Sequence, residues 1–334
     1  MIELALAFQD KDGQYTEHAG VVLASVFQNT RSSVNVHILH DETLSEDNRQ
    51  KLINLAASYN QTIQFYPVVL PENMLQVMTS VGSIEVWTPA CMYRLLLPGV
   101  IPADRVIYLD CDVLVNMDLE ELWQVDLSNY YLGAVWDQNI MNVTHLISSK
   151  GLNPEHYFNS GVILFALNTI RANPNWYEET LNFLRNFPDT TMPDQDALNA
   201  VFGGNYLPLD VRFNLFNMAA ADYDFTNKIV HFAGDEKCWD RKSSGWKLYK
   251  HYLSMTPWAE QTAAKPVYPG SSSPRRQGSR RKSGKRKLAG RRLRIRRSKF
   301  VRIALTNLTS VKSAKSNRAA GIRKRRRIRR RIYR

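Results

Sequence analysis

The chain has 334 residues, 44% of them hydrophobic and 22% charged, which suits one large domain or two small ones and excludes a collagen, a coiled coil and a fully disordered protein. A net charge of +13 suggests a nucleic-acid binder only until it is divided along the chain: 28 of the 44 Lys and Arg residues, and none of the 31 Asp and Glu, lie between Gln261 and Arg334. Residues 1–260 therefore carry −15 and the remainder +28, so the folded body is an acidic domain.

Cys91, Cys111 and Cys238 form no CxxC pair and cannot all pair with one another, which points to a reducing, cytoplasmic setting rather than a disulfide framework. The first ten residues carry Glu3 where a signal peptide has basic residues, and they read as a strand. No run approaches the ~20 apolar residues that cross a bilayer. Gly161 to Leu167 is the best of them, so any membrane contact is expected to be peripheral.

Short apolar runs alternate with segments of helical period, the pattern of an α/β domain whose mostly parallel sheet is flanked by helices. Ile2 to Phe8 predicts a strand, Glu17 to Gln28 a helix with Val21, Val22, Ala24 and Ser25 inward, and Ser33 to Leu39 the strand that completes a βαβ unit. Ser45 is the expected N-cap of a helix reaching about Tyr59, with Glu46 and Asp47 in its first turn, where negative charge suits the macrodipole. Ile63 to Val68 follows as a strand. Arg105 to Asp110 is a buried-looking strand that ends in Asp110 and Asp112 before a second apolar run, Val113 to Val115. Tyr131 to Trp136 ends at Asp137, Ser160 to Leu167 follows Asn159, and helices are expected over Asn175 to Asn186 and from Asp194 to Phe202 after Pro193. In open α/β sheets ligands sit beyond the carboxyl ends of strands, which singles out these polar strand ends. The composition changes at Pro257, giving a body over 1–258, a Pro/Gly/Ser linker over 259–274 and a basic tail over 275–334.

A single DxD is more often a pair of solvated turn residues than a site. Asp110-Cys111-Asp112, however, lies between apolar runs, where carboxylates are costly unless paired or bound to a cation. His231, at the end of Lys228-Ile-Val-His231, is a third candidate ligand, although a lone His after an apolar run is often a satisfied core residue. Two carboxylates and an imidazole suit Mn²⁺ or Mg²⁺ better than structural Zn²⁺, and Gly234 and Lys237 add a close backbone approach and a cation for a diphosphate. From spacing alone, Arg94 is equally a surface residue of a helix ending at Pro98, Asn159 a turn cap, and Asp194 a routine N-cap.

Six ordered motifs resemble glycosyltransferase family 8, the retaining nucleotide-sugar transferases that include bacterial lipopolysaccharide and lipooligosaccharide galactosyl- and glucosyltransferases. They are Ala7 to Tyr15, Tyr93-Arg-Leu95, Tyr108-Leu-Asp-Cys-Asp-Val-Leu-Val115, Tyr157-Phe-Asn-Ser-Gly161, Pro193-Asp-Gln-Asp-Ala-Leu-Asn199 and His231 to Trp239, and the likeness covers residues 1–258. The resemblance implies a GT-A fold, a UDP-hexose donor, a saccharide acceptor, and Mn²⁺, with Mg²⁺ as a substitute, held by Asp110, Asp112 and His231. It places Ala7, Asp12, Tyr15, Cys111, Ser160, Gly234 and Lys237 at the donor, and Arg94 toward its sugar or phosphate. Asp137 and Asn159 then face the sugar hydroxyls, with Asp194 and Gln195 near the anomeric carbon. Asp137, Asp194 and Gln195 are the residues assigned to catalysis.

Retention invites a covalent intermediate on Asp137 or Asp194. Otherwise it follows a front-face route in which the leaving UDP oxygen assists the acceptor hydroxyl, and the front-face route is preferred. The first loop is longer than the family's usual form, so Asp10 and Asp12 compete for the uracil, with Asp12 preferred from its spacing to Tyr15. Ile84-Glu-Val-Trp-Thr88 stands where many members carry a His for the diphosphate.

The tail offers an anionic membrane about 1 kcal/mol per basic residue and intersperses Leu293, Ile295, Phe300, Val301 and Ile303 among its charges, as interfacial segments do. Nucleic acid would bind it only through phosphates, without reading sequence. Together with the lipid-linked acceptors of the family, this points to an enzyme peripheral at the inner face of the membrane. A haloacid-dehalogenase-type phosphatase is the rival for the DxD, but it needs a small residue and a hydroxyl after the second Asp, where Val113 and Leu114 stand. A non-catalytic body with a binding tail is the other rival.

Overall fold

A computed structural model describes residues 1–216 and 224–259. The expected linker beyond Ala259 and the basic tail lie outside the described residues.

Ten strands occur in the described residues: β1 (Ile2–Phe8), β2 (Val34–His40), β3 (Thr62–Pro67), β4 (Val106–Leu109), β5 (Val113–Asn116), β6 (Leu132–Trp136), β7 (Phe158–Phe165), β8 (Tyr206–Pro208), β9 (Leu215–Phe216) and β10 (Lys228–His231). Seven form one sheet in the order β3-β2-β1-β4-β7-β6-β8, and β5-β10-β9 form a second, small sheet. Within the large sheet only β7 runs against the others, pairing antiparallel with β4 and β6. The sheet is thus mostly parallel, as expected. The reversal of β7 has no signature in the sequence, because a strand buried on both faces is uniformly apolar whichever way it runs.

Side chains of β1 alternate between two cores. Ile2, Leu4, Leu6 and Phe8 pack with the helix Tyr15–Asn29, while Ala5 and Ala7 face the opposite layer with Met92, Tyr93 and Leu184. Ser45 caps the helix Glu46–Ser58 by accepting the Asn48 N–H at 3.2 Å. The first helix begins two residues before its predicted start, because the buried Asp10 carboxylate accepts both the backbone N–H and the hydroxyl of Thr16. Trp258 packs closely against the same helix: a Cβ at Gly20 would come within 2.6 Å of its ring.

Asp110-Cys111-Asp112 is the joint between the two sheets. The chain leaves β4 at Leu109 and enters β5 at Val113, so Asp110 and Asp112 emerge where the sheets part while Cys111 turns into the core. The antiparallel β5–β10 pair sets His231 opposite Val113.

Candidate functional site

Asp110, Asp112 and His231 meet at this joint, and one ligand atom from each lies within 4.8 Å of the others. His231 Nε2 is 3.3 Å from Asp112 Oδ1 and 3.9 Å from Asp110 Oδ2. Lys237 Nζ donates to the second oxygen, Asp112 Oδ2, at 2.6 Å and to the Phe232 carbonyl at 2.8 Å. Burial pushes the Asp112 carboxyl up, but the Lys237 ammonium outweighs it, joined by the His231 ring when that is protonated, and holds the group well below the usual carboxylate range. Asp112 Oδ1 nevertheless is buried and receives no hydrogen bond. A buried anionic oxygen without a donor is costly, and with oxygen ligands and one imidazole the donor set suits a divalent cation. The reading of these carboxylates as solvated turn residues is thereby overturned.

Arg94 is buried on the 3₁₀ helix Pro89–Leu96, not on the surface of a helix ending at Pro98. Its guanidinium holds Asp110 by two bonds, Nη2 to Oδ1 at 2.7 Å and Nη1 to Oδ2 at 3.3 Å, and Tyr108 donates to the same Oδ1 at 2.9 Å. From its other edge Nε reaches Asp194 Oδ2 at 3.1 Å, and Nη1 donates to the Ser160 carbonyl at 2.7 Å. Arg94 therefore bridges the DxD to the helix Pro193–Phe202. Asp194 lies inside the first turn of that helix, two residues past its N-cap Met192, and its carboxyl accepts from the backbone there. Burial raises its carboxyl above the ordinary value, and Arg94 offsets part of the rise.

Beside this charged group lies an amide network. Gln195 Nε2 donates to Asp137 Oδ2 at 3.0 Å, and Asn159 Nδ2 donates to the same oxygen at 3.2 Å and to Gln195 Oε1 at 3.0 Å. The Ser160 N–H donates to Gln195 Oε1 at 2.9 Å. Asn159 is thus a buried member of this network, while its own Oδ1 accepts the Gly161 N–H two residues on, as a turn cap does. Burial pushes the Asp137 carboxyl above its ordinary value, against the bonds from Asn159, Asn139 and Gln195. Beneath, the fully buried Asp196 is held by Tyr157, Thr190 and Lys150.

Residues 7–243 match the family model described as glycosyl transferase family 8. The chain belongs to this family. Among its relatives, general stress protein A of Bacillus subtilis is 30% identical, the match covering 74% of this chain and 92% of that protein. Lipopolysaccharide 1,2-glucosyltransferase of Escherichia coli is 26% identical over 75% of this chain and 78% of its own length. The crystal structure of galactosyltransferase LgtC in complex with donor and acceptor sugar analogs superposes with a TM-score of 0.67 at 24% identity, covering 78% of this chain and all of that one, 100%. The fold is that of the GT-A glycosyltransferases.

For this family 8 chain, the fold brings Arg94, Asp110, Asp112, Asp137, Asn159, Ser160, Asp194, Gln195, His231 and Lys237 into one continuous set of contacts. The remaining sequence-predicted residues border it. Tyr15 opens the first helix with its ring 6.4 Å from Trp239, and burial together with the neighbouring Asp112 and Asp110 carboxylates pushes its phenol well above the usual tyrosine range. Asp12 is exposed and accepts the Gln14 N–H at 3.1 Å, whereas Asp10, its rival for the uracil, is committed to Thr16 and Asn48. Ala7 and Cys111 direct their side chains into the two apolar cores, leaving only their backbones for a ligand. Gly234 has open space above its Cα.

Tyr108, Gly161 and Asn214 were not singled out by sequence as site residues. A Cβ at Gly161 would lie 2.2 Å from His231 Cε1, so this glycine makes room for the imidazole. A glycine inside an otherwise apolar strand is the signal that marks such a close approach. No comparable signal attaches to Asn214.

Proposed function

We propose that the protein is a manganese-dependent, retaining hexosyltransferase that moves galactose or glucose from a UDP-sugar to a saccharide acceptor, lipid-linked, in cell-envelope glycan synthesis. The observation that carries this reading is the buried Asp112 Oδ1, which accepts no hydrogen bond and stands 3.3 Å from His231 Nε2 beside Asp110. The sugar-transferring relatives named above support the substrate class. Asp110, Asp112 and His231 would hold the ion, which when bound supplies Lewis-acid neutralisation of the departing diphosphate.

The side chains divide the remaining work. Lys237, released from Asp112, offers its ammonium to the same diphosphate. Arg94 keeps Asp110 and Asp194 in place and presents positive charge at the junction of phosphate and sugar. Asp137, Asn159 and Gln195 offer fixed polar groups to the sugar hydroxyls. Asp194 is tied to Arg94, and Asp137 accepts from two amides and a backbone N–H, so neither stands as a free nucleophile. That favours the front-face route, in which the acceptor oxygen attacks from the side the UDP oxygen leaves and passes its proton to that oxygen.

Residues 1–258 would form the transferase domain, 259–274 a linker, and 275–334 a basic segment that rests on the anionic inner face of the membrane. Among the described residues no helix is long and apolar enough to cross a bilayer. Stronger recruitment of the full chain to RNA than to anionic liposomes at equal ionic strength would count against the membrane role.

The deciding experiment offers the full chain a panel of UDP-sugars with and without Mn²⁺, with Asp112→Ala as control. Mn²⁺-dependent release of UDP from one sugar, lost in the variant, is the expected result. Neither turnover nor UDP binding would overturn the transferase reading.

A further inference from the structure

The metal-site reading leaves open why His231 should present a bare nitrogen to the carboxylates, and a chain of hydrogen bonds supplies the reason. It starts at the Gly161 N–H, which donates to Asn159 Oδ1 at 2.9 Å. A backbone N–H can only donate, so the Asn159 oxygen is fixed on that side, and its amide nitrogen necessarily faces Asp137 and Gln195. Being an acceptor, Asn159 Oδ1 meets the Asn214 amide nitrogen, Nδ2, at 2.9 Å. The Asn214 oxygen is then left facing His231 Nδ1 at 3.0 Å. An oxygen at that position requires the proton on Nδ1, so the lone pair of the neutral ring sits on Nε2, aimed at Asp110 and Asp112. Each assignment follows from the one before, and none is free to flip without breaking its bond to the preceding group.

Asn214 is itself held for the task. It is fully buried, its carbonyl accepts from Gln138 Nε2 at 2.7 Å, and Gln138 Oε1 accepts the Phe216 N–H at 3.2 Å. One glutamine side chain thus clamps the backbone on both sides of Leu215. Strand β9, which follows Asn214, pairs directly with β10, setting Phe216 opposite His231. The imidazole lies between Gly161 and the edge of the Phe216 ring, whose centroid is 5.6 Å away at 84°.

We propose that Asn214 is a positioning residue that fixes the Nδ1–H form of His231 and so couples the amide network around Asp137, Asn159 and Gln195 to the metal-holding carboxylates. This rests on the metal-site reading above, but the fixed ring form can be tested without metal. Asn159 reports the arrangement of the sugar-facing amides to Asn214, and Asn214 reports it to the ring. Outer partners of metal-ligating histidines act in this way, and losing one typically costs about 10–100-fold in metal affinity.

The test uses the full chain and Mn²⁺ alone, with free Mn²⁺ followed by electron paramagnetic resonance, and compares wild type with Asn214→Leu and Asn214→Asp. Leucine has a similar volume and neither bond. Aspartate keeps the oxygen for Nδ1–H but cannot donate to Asn159. Thermal unfolding confirms that each variant is folded. The expected result is a loss of about 10–100-fold in Mn²⁺ affinity for Asn214→Leu and recovery to near wild type for Asn214→Asp. Equal weakening in both folded variants, or in neither, overturns the proposal. A second readout, long-range ¹H–¹⁵N spectra of metal-free protein at pH 9 with His231→Gln for assignment, expects the proton on Nδ1 of wild-type His231. A bare Nδ1 overturns the proposal even if Mn²⁺ binds. Absence of Mn²⁺ binding by wild type with Nδ1 protonated sinks the metal reading while leaving the fixed ring form standing.

Discussion

Around Asp110, Asp112 and His231 the site gathers charge that its own side chains leave partly unsatisfied, whereas around Asp137, Asn159 and Gln195 each carboxylate and amide group finds a partner. The two regions are neighbours, joined through Arg94 on one side and Asn214 on the other. An unsatisfied buried oxygen is a cost that a ligand can remove; a satisfied network rigidifies the protein and gains little from a ligand. Substitutions in the first region are therefore expected to act first on binding and chemistry, with folding disturbed where they strip a buried charge of its partner. Those in the second should act on both.

The largest effect is expected at Asp112. Asp112→Asn removes a ligand and should lower kcat/KM for Mn²⁺-dependent UDP-sugar turnover about a thousandfold, since Lewis-acid stabilisation is worth several kcal/mol and each 1.4 kcal/mol is tenfold. Its thermal midpoint should also fall, because the largely buried Lys237 ammonium loses the carboxylate that holds it, so turnover is compared well below the midpoint of the variant. Loss of activity that merely tracks unfolding would erase the contrast between the regions.

Gly161 stands at the seam, with its N–H bound to Asn159, its carbonyl accepting the Asp110 N–H at 2.8 Å, and its Cα against His231. In Gly161→Ala the new methyl and the imidazole cannot share the same space. Displacement of the ring predicts about a 10–100-fold loss of Mn²⁺ affinity, together with an overpacking cost of about 1–3 kcal/mol in urea denaturation. Wild-type affinity in this variant would mean that His231 is not held where the carboxylates need it.

Much of this was legible where the cause is local. The βαβ opening, the Ser45 cap and the placing of Asp110 and Asp112 at a strand end follow from apolar period and capping chemistry within a few residues. What escaped depends on contacts far apart in the chain. Asn214 sits in Val211-Arg-Phe-Asn-Leu-Phe216, which has no helical or strand period, and its meaning comes from Asn159, 55 residues away, and His231, 17 away. The small sheet was missed because β9 is two residues long and nothing in the separate apolar run Val113 to Val115 says that it leaves the first sheet. Arg94 was ambiguous because an arginine on one turn of helix looks the same whether it faces solvent or two buried carboxylates.

A smaller effect should sharpen the contrast from the neutral side. Burial raises the Asp137 carboxyl, so between its unfolded and folded values the native state binds more protons than the unfolded one. Protonation therefore stabilises the fold as pH falls through the folded value. Activity moves the opposite way, because a protonated Asp137 presents an O–H to the N–H groups of Asn159 and Gln195. The kcat/KM profile should show an acid limb at a pH above the ordinary aspartate value of 3.8. Asp137→Asn should abolish that limb, lower kcat/KM about tenfold or more, and cost about 1–3 kcal/mol of stability through mismatched donors. An unchanged limb would assign it to another group.

The smallest expected effect separates the site from its aromatic border. His18 stacks on Trp239 at 3.7 Å and bonds Tyr249 at 2.8 Å, and burial pushes its ring down to about 4 from 6.5, against the attraction of Asp12, Asp112 and Asp240. The unfolded chain takes up this proton first, so the stability that the neutral ring contributes is complete above about 6.5 and is lost as pH falls toward about 4. Asp112, held low by Lys237 and His231, contributes its loss only in stronger acid. Urea midpoints measured at pH 7 and pH 5 should therefore fall more steeply for wild type than for His18→Phe, which keeps an aromatic face for Trp239 but has no proton to take up. Equal slopes would move the mild-acid sensitivity away from this border.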